Sequence, residues 1–416
     1  MGNMLILNAG EIATPIGRTA LRGAQMNAIK TIPNGSVAVI NGKIAAVGPT
    51  DEIEREYGRK GLPVIDAAGC CVVPGFVDSH THFIFSGYRE EEFLMRLQKC
   101  SYLDIMRAGG GIVNTVTHTR ELSHDGLYQL GKERLHEMLA FGVTTLEGKS
   151  GYGLDLESEL KMLRVQKQLD ADGPCDIVAS FLGAHAVAPE FKGRADDFIN
   201  FLIESVLPVV TREKLAEFCD VFCETDVFSV EQSQKLLLAA KKMGLTPKVH
   251  ADEMSNLGGA QLACRVNAIS ADHLLNVSKE GIQALAESET VATLLPATAF
   301  CLGMPYAVAR GMIDSSCAVA LASDYNPGSC FTNSVPLILS LACIYMGMTA
   351  AEALTAMTIN GAAAIGRADK IGSIEPGKQA DLLILRYPSY KFLIYNTAVN
   401  IVGTVIKNGR VAYQNL

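Results

Sequence analysis

Two histidines stand one residue apart in FVDSHTHFIFSGYRE, residues 76–90, directly after an apolar run. In a β-strand, residues i and i+2 point to the same face, so His80 and His82 would aim two imidazoles at one point. Imidazole nitrogens that meet in this way suit a metal ion. The alternative is a pair of ordinary histidines near the end of a strand, so the rest of the chain must decide.

Further histidines and an aspartate also lie at the ends of apolar runs. These are His185 in FLGAH, His250 in PKVHADE, His273 in AISADH and Asp324 in AVALASD. If the runs are strands of one parallel barrel, their carboxyl ends meet at the face where such barrels carry catalytic groups. Five of the eight histidines then converge on one mouth. The other histidines are expected on solvent-exposed or helical surfaces: His118, His124 and His136.

Four of these side chains form a predicted metal site. His80, His82 and His250 offer nitrogen ligands, and Asp324 adds an oxygen. Three or four protein ligands with one position left for water are typical of catalytic zinc, although iron and manganese accept the same donors. Such an ion lowers the pKa of bound water to about 7 and polarises a carbonyl group.

Two more residues are candidates for proton transfer. Glu253 follows His250 by three residues in HADE, where a carboxylate can take a proton from water and deliver it to a leaving nitrogen. The alternative for Glu253 is an ordinary surface glutamate. His273 can hydrogen-bond the attacking water or the developing oxyanion, or it can serve as a fifth metal ligand. We therefore predict Glu253, His273 and Asp324 as catalytic residues.

A barrel is the scaffold that these positions require. The middle of the chain alternates apolar runs with helix-period stretches such as 156–169 and 230–244, the second ended by Gly244. The predicted strands are 71–83, 142–150, 175–185, 219–224, 247–253, 268–274, 290–298 and 318–324. About eight β/α units predict an α/β fold, a TIM-like (β/α)8 barrel over residues 69–368. The gap 84–141 must hold more than one helix and a loop that covers the substrate.

Both ends of the chain differ from the middle. They carry short alternating segments with hairpin turns expected at Asn41-Gly42 and Asn408-Gly409. Neither end has enough strands to bury a face by itself. We therefore predict that residues 1–68 and 369–416 pair into one small β-sandwich domain.

Composition narrows the choice of function. The 416 residues are 49% hydrophobic and 19% charged, which indicates a well-buried globular protein. The net charge of −8 argues against a nucleic-acid partner, and no run approaches the roughly 18 apolar residues of a membrane span. The eleven cysteines lie mostly in apolar runs and show no CxxC pair, which favours a reducing compartment. We expect a cytoplasmic location and a small-molecule substrate.

The metal-site motifs resemble the amidohydrolase superfamily over essentially the whole chain. They are PGFVDSHTH, the HxxE of the fifth strand, the histidine of the sixth strand and the Ser-Asp of the eighth. Members with two metal ions carry a carboxylated lysine at the fourth strand, where this chain has Cys223-Glu224. The chain therefore resembles the mononuclear members. Lys149, at the end of the second strand, is a weaker rival for a bridging role and is interpreted as structural or hydrogen-bonding.

Five further segments resemble the imidazolonepropionases. They are SGYREEEF (86–93), AGGGIVNTVTHTR (108–120), EGKSGYGLDLE (147–157), FLGAHAVAPE (181–190) and SDYNPGSC (323–330). The resemblance implies hydrolysis of 4-imidazolone-5-propanoate to N-formimidoyl-L-glutamate in histidine degradation. It also implies one zinc or iron ion per subunit and a homodimer.

The implied substrate is a small ring that bears a propionate. Arg89 offers a planar fork that can pair bidentately with a carboxylate, although it can instead be a surface arginine paired with Glu90 or Glu91. Gly109–Gly111 are expected to form a loop over the pocket. The resemblance implies these contacts with substrate or product: Arg89, Tyr152, His185, Glu253, Asn326, Gly328 and Ser329.

These residues predict a mechanism. Glu253 or Asp324 is the base that acts on the metal-activated water, and His185 or His273 polarises the ring carbonyl. Protonated Glu253 then delivers a proton to the ring nitrogen as the C–N bond breaks.

Two rival functions share parts of this pattern. A deaminase of a small nitrogen heterocycle would use the same metal ligands, but Arg89 suits an acidic substrate. A non-catalytic scaffold protein would usually have lost ligands, which are all present here.

Overall fold

The computed structural model describes residues 2–100 and 109–415. In that part of the chain the larger sheets are a barrel of eight parallel strands and a mixed sheet built from both ends of the chain. In chain order the strands are β1 Met4–Thr14, β2 Lys30–Ile40, β3 Lys43–Pro49, β4 Val64–Asp66, β5 Cys71–Pro74, β6 Phe76–Asp78, β7 Val143–Lys149, β8 Asp176–Ala184, β9 Phe218–Cys223, β10 Thr246–Ala251, β11 Ser270–His273, β12 Val291–Leu294, β13 Val319–Leu321, β14 Leu382–Leu385, β15 Val402–Lys407 and β16 Arg410–Gln414.

The barrel runs from β6 to β13 in sequence order, and each strand pairs in parallel with the next. Beyond the ends of β6 and β13, an isolated parallel bridge joins Thr81 to Tyr325. The amide of Asp324 donates to the carbonyl of His80 at 2.9 Å, and the amide of His82 donates to the carbonyl of Tyr325 at 3.0 Å. These bonds bring the first and last strands together, and the predicted α/β barrel is confirmed.

Helices cover the outside of the barrel and connect its strands. The helices between β6 and β10 are Glu90–Leu97, Ile112–Glu121, His124–Ala140, Leu156–Asp172, Ala195–Phe201, Leu207–Arg212 and Val230–Lys242. Those after β10 are Gly259–Val266, Lys279–Ala286, Pro296–Leu302, Ala309–Asp314, Val335–Ile344, Ala350–Ala356, Ile359–Ala364 and Phe392–Tyr395. One helix, Thr50–Tyr57, packs on the terminal sheet. The predicted helix over 230–244 ends at Lys242, and Gly244 follows it with a φ of 94°.

Two predicted barrel strands differ most from the observed ones. The run 71–83 is divided at Gly75, whose amide donates to the carbonyl of Asp381 at 2.9 Å. The part before Gly75 is β5 and joins the terminal sheet, and the part after it is β6 of the barrel. The run 290–298 stops at Leu294, because Pro296 opens a helix, a position that suits a residue without an amide hydrogen.

The two ends of the chain form one sheet. Its order is β16-β15-β14-β5-β1-β2-β3, and β4 pairs with β1. Ile6 and Val37 from the N-terminal part pack in one cluster with Leu382 and Ile406 from the C-terminal part. The expected hairpin turns are present, with positive φ at Asn41, Gly42, Asn408 and Gly409. The predicted β-structure shared by both termini is confirmed.

The gap 84–141 holds more than one helix, as expected. His118 and His136 are exposed on these helices, and His124 is partly exposed. Gly109 and Gly111 have φ values of 83° and 88° in the turn that leads into the helix Ile112–Glu121. The first residue of the segment 108–120 lies outside the described residues.

Two further expectations concern the whole chain. All eleven cysteines lie in the described part of the chain, and each is a free thiol. Cys301 is one of those that are only partly buried. Among the described residues, no helix combines the length and apolar character that crossing a membrane requires.

Gly75 allows β5 and β6 to pass close to β7, because a Cβ at this position would lie 2.3 Å from Oγ1 of buried Thr144. We predict that Gly75→Ala lowers the free energy of unfolding by about 1–3 kcal/mol, as overpacking does. Urea denaturation measures this change. The matched variant is Gly311→Ala, at an exposed position of the helix Ala309–Asp314, where a Cβ meets nothing within 4 Å. It should be neutral or stabilise by up to about 1 kcal/mol. Equal midpoints for the two variants would contradict the packing argument.

Candidate active site

The four predicted metal ligands meet at the mouth of the barrel. His80 and His82 follow β6, His250 lies in β10, and Asp324 follows β13. All four are buried. Nε2 of His82 lies 3.4 Å from Nε2 of His250 and 3.5 Å from Oδ1 of Asp324. The same Oδ1 lies 3.4 Å from Nε2 of His80.

These distances fit a bound metal ion. Ligand atoms about 2.0–2.1 Å from a tetrahedral zinc ion lie roughly 3.3–3.4 Å from one another. Nε2 of His80 is buried without a hydrogen-bond partner. Burial lowers the pKa of His80 and His82 well below the ordinary value for histidine, so both rings are neutral and have a lone pair to offer. The donor set therefore fits a catalytic metal.

Two more histidines adjoin this cluster. His273 shares a group of potential ligand atoms with His80 and His250, and His185 shares one with His82 and His250. The rings of His185 and His82 stack at 4.9 Å. His273 and Asp324 have left-handed backbones, with φ of 79° and 53°, an uncommon conformation that occurs at functional sites.

A layer of charged side chains lies beneath the histidines, fully buried in the barrel. It comprises Glu147, Lys149, Asp220, Lys248 and Asp272. Lys149 Nζ lies 2.8 Å from Glu147 Oε1, 2.6 Å from Asp220 Oδ2 and 3.5 Å from Asp272 Oδ2. Lys248 Nζ lies 2.9 Å from Glu147 Oε2 and 3.8 Å from Asp272 Oδ2. Lys149 is therefore engaged in ion pairs with these carboxylates.

The charged layer contacts the histidines through its aspartates. Asp272 Oδ2 lies 2.7 Å from His80 Nδ1, and Asp220 Oδ2 lies 3.0 Å from His250 Nδ1. Burial raises the pKa of Asp272, and Lys248 and Lys149 oppose that rise. The aspartates of this layer were not predicted from the sequence. The available signal was a carboxylate inside an apolar run: Asp272 directly precedes His273, and Asp220 lies in CDVFCE.

Glu253 faces the same mouth. Its side chain is 12% exposed, and Oε2 lies 3.6 Å from Nε2 of His273. Burial, with Asp324 and Glu224 nearby, raises the pKa of Glu253 to about 8. Glu224 accepts from the amides of Met254 at 2.8 Å and Ser255 at 3.2 Å, and so supports the turn after Glu253. Glu224, at the end of β9, therefore has a structural role, because it holds the turn that follows Glu253.

A cavity of about 1130 Å³ opens above the histidines, and all of the predicted substrate contacts line it. Arg89 donates to Glu92, with Nε 2.8 Å from Oε2 and Nη2 2.5 Å from Oε1, and so its partner is neither Glu90 nor Glu91. Glu92 also accepts from the amide of Gly111 at 2.7 Å. Arg96 was not predicted, and its Nη2 donates to the carbonyl of Gly328 at 2.7 Å.

The segment after Asp324 forms one side of the cavity. Asn326 Oδ1 accepts from the amides of Gly328 and Ser329, both at 2.8 Å. A Cβ at Gly328 would lie 2.2 Å from Nη1 of Arg89, so a larger residue would displace the guanidinium from this position. Tyr152 is buried, and its ring centroid lies 5.2 Å from that of His185.

The barrel, its terminal sheet and the histidine–aspartate mouth define a hydrolase of the amidohydrolase class. Residues 227–412 match the model of the amidohydrolase family. A triazine hydrolase variant has a TM-score of 0.75 at 17% identity, covering 99% of this chain and 95% of that one. E. coli guanine deaminase has a TM-score of 0.70 at 17% identity over the full length of both chains. At this identity the two solved structures share the fold alone.

Relatives with higher sequence identity show which family within this class the chain belongs to. The imidazolonepropionase of Clostridium tetani is 58% identical over 413 residues, which cover 99% of both chains. That of Parabacteroides distasonis is 56% identical over 408 residues, which cover 98% of both. The chain belongs to the imidazolonepropionase family, and it is therefore an enzyme.

The geometry of the mouth predicts tight binding of one metal ion. We expect that His82→Gln lowers the affinity for zinc at least tenfold, because it removes a nitrogen that lies within 3.5 Å of two other donor atoms. Competition with a chromophoric chelator measures the affinity. His136→Gln, on an exposed helical surface, is the matched control and should bind zinc like the unaltered protein. Equal affinity in both variants would contradict the site.

Proposed function

We propose that this chain hydrolyses 4-imidazolone-5-propanoate to N-formimidoyl-L-glutamate in histidine degradation. The observation that carries the proposal is a single cavity with a guanidinium and a hydrolytic cluster in its wall. Arg89 suits the propionate, and the histidines around Asp324 suit the ring amide. The names of the curated relatives support the same reaction. A deaminase would have no evident use for Arg89.

The proposed metal ligands are His80, His82, His250 and Asp324, for one zinc or iron ion per subunit. These nitrogen and oxygen donors suit either metal. Among solved structures of similar fold, a mutant of atrazine chlorohydrolase from Arthrobacter aurescens is complexed with zinc. When bound, the ion supplies Lewis acidity and lowers the pKa of water.

The side chains around the cluster divide the proton transfers. Asp324 or Glu253 takes the proton of the attacking water. His185 or His273 donates to the oxygen of the ring carbonyl as it becomes negative. Protonated Glu253 then donates to the ring nitrogen as the C–N bond breaks, which its raised pKa allows at neutral pH.

The proposed substrate contacts surround these groups. The Arg89 guanidinium pairs with the carboxylate, and Tyr152 and His185 contact the ring. Asn326, Gly328 and Ser329 lie around the glutamate part of the product, where Asn326 already orders the two amides that follow it. The loop at Gly109–Gly111 borders the cavity, and Gly111 is tied to Glu92 beside Arg89.

The wider organisation follows the same proposal. We propose a terminal β-unit of residues 1–68 and 369–416 and a catalytic unit of residues 69–368, with β5 as the strand by which the second unit joins the terminal sheet.

Eleven free thiols support a reducing, cytoplasmic location. A homodimer is the arrangement most often adopted by soluble oligomers.

A direct assay tests the reaction. Urocanate and urocanase generate the unstable substrate in place, and N-formimidoylglutamate and ammonia are measured with and without a chelator. If N-formimidoylglutamate forms only when the metal is present, and no ammonia is released early in the reaction, the result would support ring opening. If protein shown to contain metal forms no product above the spontaneous background, the proposal is wrong.

Glu253 should control the activity at high pH. Because burial raises its pKa to about 8, the carboxyl keeps its proton at neutral pH and loses it as the pH rises through about 8. With Asp324 as the base and Glu253 as the proton donor, we predict that kcat falls over that range, whereas kcat would rise if Glu253 were the base. In either case Glu253→Gln should lower kcat by about 10²–10⁴-fold. A pH–rate profile measures both effects. If the Glu253→Gln enzyme keeps the kcat of the unaltered enzyme and shows the same pH dependence, a group other than Glu253 donates the proton to the ring nitrogen.

Arg89 should determine affinity for the propionate. We predict that Arg89→Ala lowers kcat/KM by about 10–100-fold, because a charged hydrogen bond to the carboxylate is lost. Arg55→Ala, on an exposed helix face of the terminal unit, is the control and should change neither constant. An analogue without the carboxylate should be turned over equally by the Arg89→Ala and unaltered enzymes. A tenfold difference with that analogue would contradict the role.

A further inference from the structure

The buried charged layer beneath the histidines has no direct part in the proposed reaction. Its two ammonium groups and three carboxylates are fully buried and come from four strands of the barrel, β7, β9, β10 and β11. Interiors of such barrels are usually filled by branched aliphatic side chains. Burying charges costs free energy even when they are paired, so a packing function alone does not account for this layer.

Lys149 is the centre of the layer. It reaches Asp220 at 2.6 Å and Asp272 at 3.5 Å, and Glu147 occupies a third side at 2.8 Å. Burial alone would lower the pKa of Lys149, but these three carboxylates raise it above its ordinary value. The side chain is therefore a fixed cation, and an ammonium group can only donate hydrogen bonds.

Each of these aspartates faces a proposed ligand through the oxygen that Lys149 approaches. Asp272 Oδ2 forms a hydrogen bond with Nδ1 of His80 at 2.7 Å. Asp220 Oδ2 lies 3.0 Å from Nδ1 of His250, a close charge contact that is not aligned as a hydrogen bond. A carboxylate this close to Nδ1 favours the imidazole tautomer in which Nδ1 has the proton and Nε2 has the lone pair. Nε2 of both rings faces the proposed metal position.

We propose that Lys149 is a positioning residue for the metal: it holds Asp220 and Asp272 against Nδ1 of His250 and His80, which leaves both Nε2 atoms for the ion. Lys248 supports it, because it holds the other oxygen of Glu147 at 2.9 Å and donates to the carbonyl of Ser79 at 3.3 Å. The inference rests on the proposed ligand set.

The direction in which zinc affinity changes in Lys149→Met separates this positioning role from simple repulsion between two cations. If Lys149 only repels a nearby cation, then Lys149→Met should tighten zinc binding. If Lys149 positions the ligands, the same variant should weaken zinc binding by about 10–100-fold, as loss of supporting contacts behind metal ligands does. Competition with a chromophoric chelator at fixed pH measures the affinity for zinc alone.

Lys378→Met is the matched control. Lys378 is also buried, at 1% exposure, but it donates to the carbonyls of Gly17 and Ala368 at the junction with the terminal unit. Its replacement removes a buried ammonium and should lower the thermal midpoint while zinc affinity stays unchanged. An equal loss of zinc affinity in both variants would reduce the effect of Lys149→Met to general destabilisation and overturn the proposal.

A second measurement reads the tautomers in the unaltered protein and uses variants only to assign the signals. In metal-free protein with 15N-labelled histidine, assigned with His80→Gln and His250→Gln, we expect both rings to carry the proton on Nδ1. Protons on Nε2 of both rings would overturn the proposal. If the unaltered protein binds no zinc, the proposed ligand set fails. If it binds zinc and Lys149→Met binds as tightly or more tightly, only the role of Lys149 fails.

Discussion

The pairing of charges inside the barrel is the constraint on which the active site depends. An unpaired charge in this interior would cost several kcal/mol, so each carboxylate must find an ammonium or an imidazole at close range. Lys149 from β7 meets Asp220 from β9, and Lys248 from β10 meets Glu147 from β7. These contacts hold the strands in one relative arrangement, and the histidines are the next inward-facing layer above them.

The same principle shapes the opposite side of the cavity. Glu92 forms ion pairs with both Arg89 and Arg96. Its negative charge offsets one of the two positive charges, so the three side chains together keep a net positive charge beside the cavity. Gly328 lies between the two guanidinium groups, with its carbonyl bound to Arg96 and its Cα against Arg89. In the proposed complex, a substrate with one carboxylate meets a cation of matched charge, at a distance from the histidines set by the backbone of β13 and the segment after it.

Much of this could be predicted from the sequence, for a physical reason. Parallel strands bring their carboxyl ends to one edge, so His80, His250 and Asp324 could be grouped without knowing any contact. Side-chain pairings could not be read in this way. That Arg89 pairs with Glu92 rather than Glu90 depends on how one helix sits on the barrel. The division at Gly75 depends on which sheet offers β5 a partner, a long-range choice that a continuous apolar run does not reveal.

In the proposed enzyme, the histidine–aspartate mouth holds the ion and Arg89 holds the carboxylate. The most direct measurement is anomalous diffraction at the zinc edge from a crystal of zinc-loaded protein with N-formimidoyl-L-glutamate. We predict one peak within bonding distance of His80, His82, His250 and Asp324, with a product carboxylate on Arg89. A peak instead among Glu147, Asp272 and His80, which also form a group of potential ligands, would contradict this arrangement. So would a product that leaves Arg89 paired only with Glu92.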